Sequence, residues 1–382
     1  MPWTETEPMK ERVRFVADAE RGLYSMSELC ERYGISRRTG YKWLERYEAE
    51  GPAGLKERSR APHHCPHRIE SPLAAAIVEA RRQHPSWGPR KLLAWLEERG
   101  PEQDWPAAST VGDLLKGRGL VPPRRRRRHW QHPGAPTIVT GAPNELWTTD
   151  FKGQFPTRDG QYCYPLTIVD HHSRYLLACA ALASVRTVDT RASFERVFRE
   201  VGLPAAIQSD NGTPFCSTGL HGLSALNVWW MRLGIRPVRI EPSHPEQNGA
   251  HERMHRTLKA ETTRPPAATR VGQQHKFEAF RYTYNHERPH EALGQQPPAR
   301  RWHPSKRAYP RTLPQPEYPG HHLVRLVGSA GTIGFRGRQI FLTRALEDEY
   351  VGLEESGDGV WSVHFANFLL GKFSEPDFRI CP

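Results

Sequence analysis

Three proline-rich interruptions keep this 382-residue chain from folding around one core. The first runs Arg60-Ala-Pro-His-His-Cys-Pro-His-Arg68, the second from Pro122 to Pro143, and the third from Pro297 to Pro319. Proline lacks a backbone donor and breaks helix interiors and central strands alike. The pieces left between them differ in character. Residues 1–60 and 70–121 read as helical, 144–300 alternates strand-like and helix-like stretches, and 321–375 reads as short strands. The expectation is a multidomain chain: two N-terminal all-α domains, an Arg/Pro-rich linker over 122–143, a central α/β core and a small C-terminal β-barrel.

Charge points to the partner. Lys and Arg number 54 against 42 Asp and Glu, a formal net charge of +12. The excess is clustered, since Arg124, Arg125, Arg126, Arg127 and Arg128 are consecutive. A basic run in a basic chain predicts a polyanionic partner, above all nucleic acid. The six cysteines include no C-x-x-C pair, which argues against a zinc ribbon or disulfide scaffold and for a reducing, cytoplasmic setting. His63, His64, Cys65 and His67 have one cysteine only and read as a solvated linker rather than a zinc site. The longest uncharged apolar stretch, near Tyr175 to Val185, is too short to span a bilayer and suits a buried strand, so no membrane partner is expected.

The first helical piece reads as a helix-turn-helix. Ser25 and Glu28 have capping-box spacing, Gly34 supplies a turn with Ile35 as its apolar plug, and Ser36 can cap a helix from Arg37 to about Glu48. That helix would carry Arg37, Arg38 and Lys42 outward to DNA and Trp43, Leu44 and Tyr47 inward. Gly40 inside it costs about 1 kcal/mol against Ala. The second piece predicts helices over Leu73–Arg82 and Pro89–Glu98, and a third capped by Ser109 and reaching Leu115.

In the central piece, Asn144 to Asp150 reads as a strand ending on an acidic residue. Tyr162–Val169 and Arg174–Leu182 follow as strands around the turn Asp170-His-His-Ser173. A helix over Asp189–Val201 and a strand over Ala205–Gln208 come next, closed by Asp210-Asn-Gly212. That order is the one expected of a ribonuclease-H-like sheet. Carboxylates at strand ends can meet at one sheet edge, and hard divalent cations prefer oxygen ligands.

Trp147-Thr-Thr-Asp150, Ser209-Asp210-Asn-Gly212 and His244-Pro-Glu-Gln-Asn-Gly249-Ala-His-Glu252-Arg resemble the three acidic motifs of the integrase core superfamily, which includes retroviral integrases and many bacterial insertion-sequence transposases. Asp170-His-His-Ser-Arg174 and Tyr284-Asn-His-Glu-Arg-Pro-His290 add to the likeness, and His84-Pro-Ser-Trp-Gly-Pro-Arg90 resembles the helical domain upstream of many such cores. The resemblance implies Asp150, Asp210 and Glu252 as catalytic residues holding two Mg²⁺ (or Mn²⁺) ions, roughly 3.5–4 Å apart in such centres. Family spacing favours Glu246 as the third carboxylate. The local pattern favours Glu252, because Glu246 sits in a Pro-Gly loop while Glu252 opens a helix from Ala250 to about Glu261. An insertion near His221 to Trp230 would account for the longer spacing. On that helix Glu252, His255, Arg256 and Lys259 share one face, with Met254 and Leu258 opposite. Arg256 and Lys259 are therefore expected at DNA phosphates. Asp170 reads as a turn residue.

Residues 321–375 alternate at period two in Val324/Leu326, Ile340/Leu342, Val351/Leu353 and Trp361/Val363/Phe365, the pattern of an SH3-like barrel. The resulting expectation is a DNA transposase. It would bind terminal repeats, cut 3′ ends and join them to target DNA as a homodimer or larger assembly. It would have no small-molecule substrate and would work in the cytoplasm at the nucleoid. The alternatives are a DNA-binding regulator with a non-catalytic core, and a nuclease without strand transfer.

Overall fold

The computed structural model describes residues 7–58, 69–121, 139–217, 219–240 and 249–381. The arginine run 124–128, the His/Cys segment 63–67 and Glu246 lie outside the described residues. The chain divides into two compact units, Met1–Arg68 and Ile69–Pro382. Among the described residues no helix is long and apolar enough to cross a membrane.

The first unit holds three helices, α1 (Pro8–Glu20), α2 (Met26–Arg32) and α3 (Arg37–Glu50). The capping box forms as expected. Glu28 N–H donates to Ser25 Oγ, and the Glu28 carboxylate accepts from Ser25 N–H at 2.8 Å. Such a cap contributes about 1 kcal/mol. Gly34 takes the turn at φ 61°, and Ser36 accepts from Thr39 N–H to start α3. Phe15, Leu29, Cys30, Trp43 and Leu55 form the core, with Ile35, Leu44 and Tyr47 packed against it. The apparent penalty at Gly40 has a packing reason. A Cβ there would stand 2.7 Å from Cys30 Sγ and 3.0 Å from the Phe15 ring.

The second unit begins with α4 (Ser71–Gln83), α5 (Pro89–Arg99) and α6 (Ala108–Gly117). Pro89 stands in the first turn of α5 as expected, but α6 begins after Ala107 and Ser109 does not cap it. Trp87 is buried at the centre of this small core, and the His84 ring stacks on it at 3.8 Å.

The central sheet comprises β1 (Leu146–Phe151), β2 (Phe155–Pro156), β3 (Tyr162–Asp170), β4 (Leu176–Leu182), β5 (Ala206–Ser209) and β6 (Arg236–Arg239). Across it the order is β4-β3-β1-β5-β6, with short β2 paired to the start of β3. β1 runs antiparallel to β3 and parallel to β5, and β5 runs parallel to β6. Two helices, α7 (Thr187–Val201) and α8 (Ala225–Arg232), cover one face. They bring Phe194, Phe198, Trp229 and Trp230 onto Trp147, Leu166 and Ile168. The other face takes α9 (Gly249–Thr262) and α10 (Arg270–Tyr282), whose Met254, Leu258, Phe277 and Phe280 pack on Val169, Leu176 and Cys179. The segment read as an insertion is thus a core element. While one side of α8 fills the sheet core, Val228 and Met231 enter the C-terminal core.

The C-terminal strands are β7 (Leu323–Leu326), β8 (Thr332–Phe335), β9 (Arg338–Phe341), β10 (Tyr350–Gly357), β11 (Val360–Phe365) and β12 (Phe368–Ser374). They do not close. The described residues form a four-stranded antiparallel sheet, β12-β11-β10-β7, and a separate β8-β9 hairpin. Ile340, Leu342, Val351, Leu353, Trp361, Val363 and Phe365 face the core as their alternation predicts. Val324 and Leu326 do not. They are 42% and 49% exposed, because β7 is an edge strand with a partner on one side only.

Candidate active site

Sheet register brings the first two acidic residues together. In the β1–β5 ladder Thr149 stands opposite Ser209, so Asp150, near the end of β1, and Asp210, just past the end of β5, stand side by side. Asp210 opens a tight loop. Gly212 N–H donates to its Oδ1 at 3.2 Å, and a Cβ at Gly212 would lie 3.0 Å from Oδ2, so a side chain there would crowd the carboxylate. The loop is pinned by Asn211, whose amide donates to Ile240 O at 3.0 Å just past β6.

Glu252 lies in the first turn of α9, exposed, and close enough to Asp150 to be felt electrostatically. Burial first, then repulsion from Asp210 and a smaller push from Glu252, raise the Asp150 carboxyl to about 7 against the opposing pull of Lys152 and the Phe151 N–H. Burial also raises Asp210. A half-buried pair of like charges at a sheet edge is costly unless a cation joins it. Three carboxylates that repel one another are a donor set suited to a hard divalent ion.

Behind Asp150 runs a seam that the helical wheel misassigned. His255 was expected on the outer face with Glu252, but it is buried, as is His251 one turn earlier. Thr148, Asp150 and Thr167 point from β1 and β3 toward α9, and the two rings fill the space between. The Thr148 hydroxyl meets His251 Nδ1 at 3.0 Å, and His251 Nε2 meets Thr167 Oγ1 at 2.6 Å. Thr167 Oγ1 meets His255 Nε2 at 2.7 Å, and His255 Nδ1 faces Asp150 Oδ2 at 3.5 Å. Burial holds His251 down at about 3, helped by His171, and His255 at about 2, helped by His251 and Lys152. Both rings are therefore neutral at physiological pH, each with one N–H to give. One assignment aims a donor at the carboxylate. Thr148 donates to His251, His251 to Thr167, Thr167 to His255, and His255 Nδ1–H points at Asp150. The i,i+4 spacing of His251 and His255 was the sequence signal for a shared face.

Asp170 is a structural hub, as its turn position suggested. Fully buried, it accepts from Asn144 N–H at 2.7 Å, Ser173 N–H at 2.7 Å and Ser173 Oγ at 2.6 Å. Hydrogen bonds to a charged group contribute about 1.5–3 kcal/mol each. They tie the β3–β4 turn to the residue that leads into β1.

On the other side of α9 lies a cationic groove of about 300 Å³. Lys91, Arg174, Arg253, Arg256, Arg288 and His290 line it, with Glu291 at its rim. Of these the sequence reading selected only Arg256. Arg174 sits at φ 64° in the β3–β4 turn, and its guanidinium makes no hydrogen bond or ion pair among the described residues. Burial lowers its pKa. Burial likewise brings Lys91 down to about 8, with Arg288 adding repulsion, while its ammonium donates to Pro289 O at 2.6 Å. Arg288 is paired with Glu261 at 2.9 Å. Buried cations that crowd one another favour an anion at their centre. Lys259 is exposed on α9, and Arg37, Arg38 and Lys42 are exposed on α3, where Lys42 lies over the Trp43 ring at 4.4 Å.

Comparison with known proteins agrees with this construction. Residues 141–245 and 233–298 each match an integrase core domain family, 11–63 match a helix-turn-helix domain, and 39–115 match a homeodomain-like domain. The chain is 27% identical over 223 residues to an uncharacterized 31.7 kDa protein of insertion element IS407 from Burkholderia multivorans, covering 58% of this chain and 77% of that protein. It is 26% identical over 278 residues to an uncharacterized 39.2 kDa protein of insertion element IS476 from Xanthomonas euvesicatoria, covering 70% and 75%. Among solved structures, one chain of a simian T-cell lymphotropic virus intasome is 17% identical, with 69% of this chain and 90% of that one covered at a TM-score of 0.39.

Proposed function

We propose that this chain, an integrase-core protein akin to those of bacterial insertion elements, is a DNA transposase that cuts element ends and joins them to target DNA. The observation that carries the reading is the meeting of Asp150 and Asp210 at one sheet edge, with Glu252 close by on α9 and a cationic groove on the same helix. In this reading Asp150 and Asp210 hold divalent metal between them, Glu252 completes the set, and the ions are Mg²⁺ or Mn²⁺, two per site. Such ions, when bound, lower the barrier for an oxygen nucleophile at phosphorus and stabilise the oxygen that leaves. The protein's own groups do the remaining work. His255 holds the Asp150 carboxylate in one orientation, and the Thr167 hydroxyl holds His255. Arg256 and Lys259 neutralise phosphates of the strand beside Glu252, while the groove around Arg174 draws in the flanking backbone. Arg37, Arg38 and Lys42 on α3 read terminal-repeat sequence, and the run Arg124–Arg128 tracks phosphates between domains. Two ends must be brought together, so the working form is a homodimer or larger assembly on DNA.

The test uses the inverted repeats that bound this reading frame, as pre-cut duplexes with Mg²⁺. Joined products are expected, and Glu252→Gln should abolish them while Glu246→Gln leaves activity. Cleavage without joining would assign a nuclease instead, and loss with Glu246→Gln alone would move the third carboxylate.

A further inference from the structure

The C-terminal sheet gathers three imidazoles around one carboxylate, far in sequence from the acidic motifs. Antiparallel register does the gathering. Gly352 of β10 stands opposite His364 of β11, and Leu353 stands opposite Leu323 of β7. One step further along β10, Glu354 faces His322, and Glu354, two residues from Gly352, shares the face of His364. Glu354 Oε2 is 3.3 Å from His364 Nε2 and 3.9 Å from His322 Nε2, and its Oε1 is 3.5 Å from His321 Nε2. The His322 and His364 rings are 5.3 Å apart between centroids.

The space for these rings comes from a missing side chain. A Cβ at Gly352 would stand 2.4 Å from the Tyr318 ring and 2.7 Å from His322 Nδ1. Tyr318 is itself pinned over the sheet, donating to Tyr350 O at 2.6 Å and accepting from Ala366 N–H at 3.2 Å. His322 Nδ1 is buried without a hydrogen-bond partner, and a buried ring nitrogen left unpaired is costly. One donor atom from each of His321, His322 and Glu354 lies within 4.8 Å of the others. In a tetrahedral zinc site with ligand bonds near 2.0–2.1 Å, neighbouring donor atoms lie roughly 3.3–3.4 Å apart.

We propose that His321, His322 and Glu354 form a binding site for a borderline divalent transition metal ion, zinc foremost. Imidazole nitrogen suits zinc, copper and nickel, whereas the carboxylates at Asp150 suit magnesium, so the two donor sets select different ions. A metal here staples the end of the Pro-rich connector, at His321 and His322, to β10. It couples metal supply to the order of the C-terminal sheet rather than to phosphodiester chemistry.

The experiment titrates Zn²⁺ into the full, tag-free chain after EDTA dialysis, by isothermal calorimetry against a competing chelator, with X-ray absorption on the loaded protein. One tight equivalent with a four-coordinate nitrogen and oxygen shell is expected. It should be lost in His322→Ala and in the His321→Ala/Glu354→Gln double variant, and retained in Asp150→Asn. The double variant alters the two more exposed ligands, so it keeps the test open if His322→Ala fails to fold by circular dichroism. Equal zinc stoichiometry in wild type and the double variant overturns the site. Loss of the equivalent in Asp150→Asn assigns the ion to the acidic edge and overturns it too.

Discussion

The two sides of helix α9 solve opposite electrostatic problems. Toward the sheet, His251 and His255 are buried and kept neutral beside carboxylates that repel one another. On its other side, Arg253 and Arg256 join Lys91, Arg174 and Arg288 in a groove where positive charges are crowded. Each side is incomplete alone. The inner one carries excess negative charge, opposed by Lys152, and the outer one excess positive charge despite Glu261 and Glu291, and a metal-bound phosphodiester strand would balance both. The difference teaches that a single short helix can set a cation site and an anion site within one turn of each other, provided burial keeps its histidines uncharged.

The sharpest way to break this comparison is Asp150→Asn. Activity should fall to background, because the amide no longer supplies a charged oxygen to a metal. Without divalent ions the same change should stabilise the fold above neutral pH. The unfolded carboxyl titrates near 3.9 and the folded one about 7, so the unfolded state binds fewer protons between these values. Asp150 then lowers stability as pH rises through that window, while the neutral His251 and His255 raise it, so the Asn variant should gain stability over wild type as pH rises. Denaturant midpoints at pH 5 and pH 8 in EDTA check it. An equal stability gap between the Asn variant and wild type at both pH values would show that Asp150 carries no charge stress.

Next in size is His255→Phe, which keeps a ring in the buried seam and removes both nitrogens. Residues that orient a metal ligand typically change affinity or activity by about 10–100-fold. The expectation is a loss in that range, seen as a rise in the Mg²⁺ concentration needed for half-maximal cleavage. An unchanged metal requirement would reduce the seam to packing.

The inner side is half legible in the sequence. Asp150 and Asp210 could be placed because their motifs resemble those of the integrase core and each closes a predicted strand, and strand ends in such a sheet meet at one edge. His255 could not, since a helical wheel ranks faces only by polarity, and a histidine pair bound by Thr148 and Thr167 looks as polar as an arginine. β6 escaped notice because Arg-Pro-Val-Arg alternates too briefly to stand out. The groove was hidden for another reason. Lys91, Arg174 and Arg288 come from three distant segments, and only the packing of α5 against residues 284–292 assembles them. The C-terminal barrel was expected from alternation, which reports which residues point inward but not whether the first and last strands pair.

The smallest expected effect tests the outer side. Arg174→Ala removes a guanidinium that has no protein partner among the described residues, so it should cost little stability. If the groove holds one backbone phosphate through Arg174, the slope of log affinity against log salt should shrink by about 0.9 for duplex DNA. The weakening should be nearly uniform across sequences, because phosphate contacts position DNA without reading it. Fluorescence anisotropy of terminal-repeat and scrambled duplexes between low and moderate salt measures both quantities. A loss confined to the terminal-repeat duplex would instead mean that Arg174 contacts bases. An unchanged slope would mean that the DNA path misses the groove, leaving Arg256 and Lys259 to meet the phosphates beside Glu252.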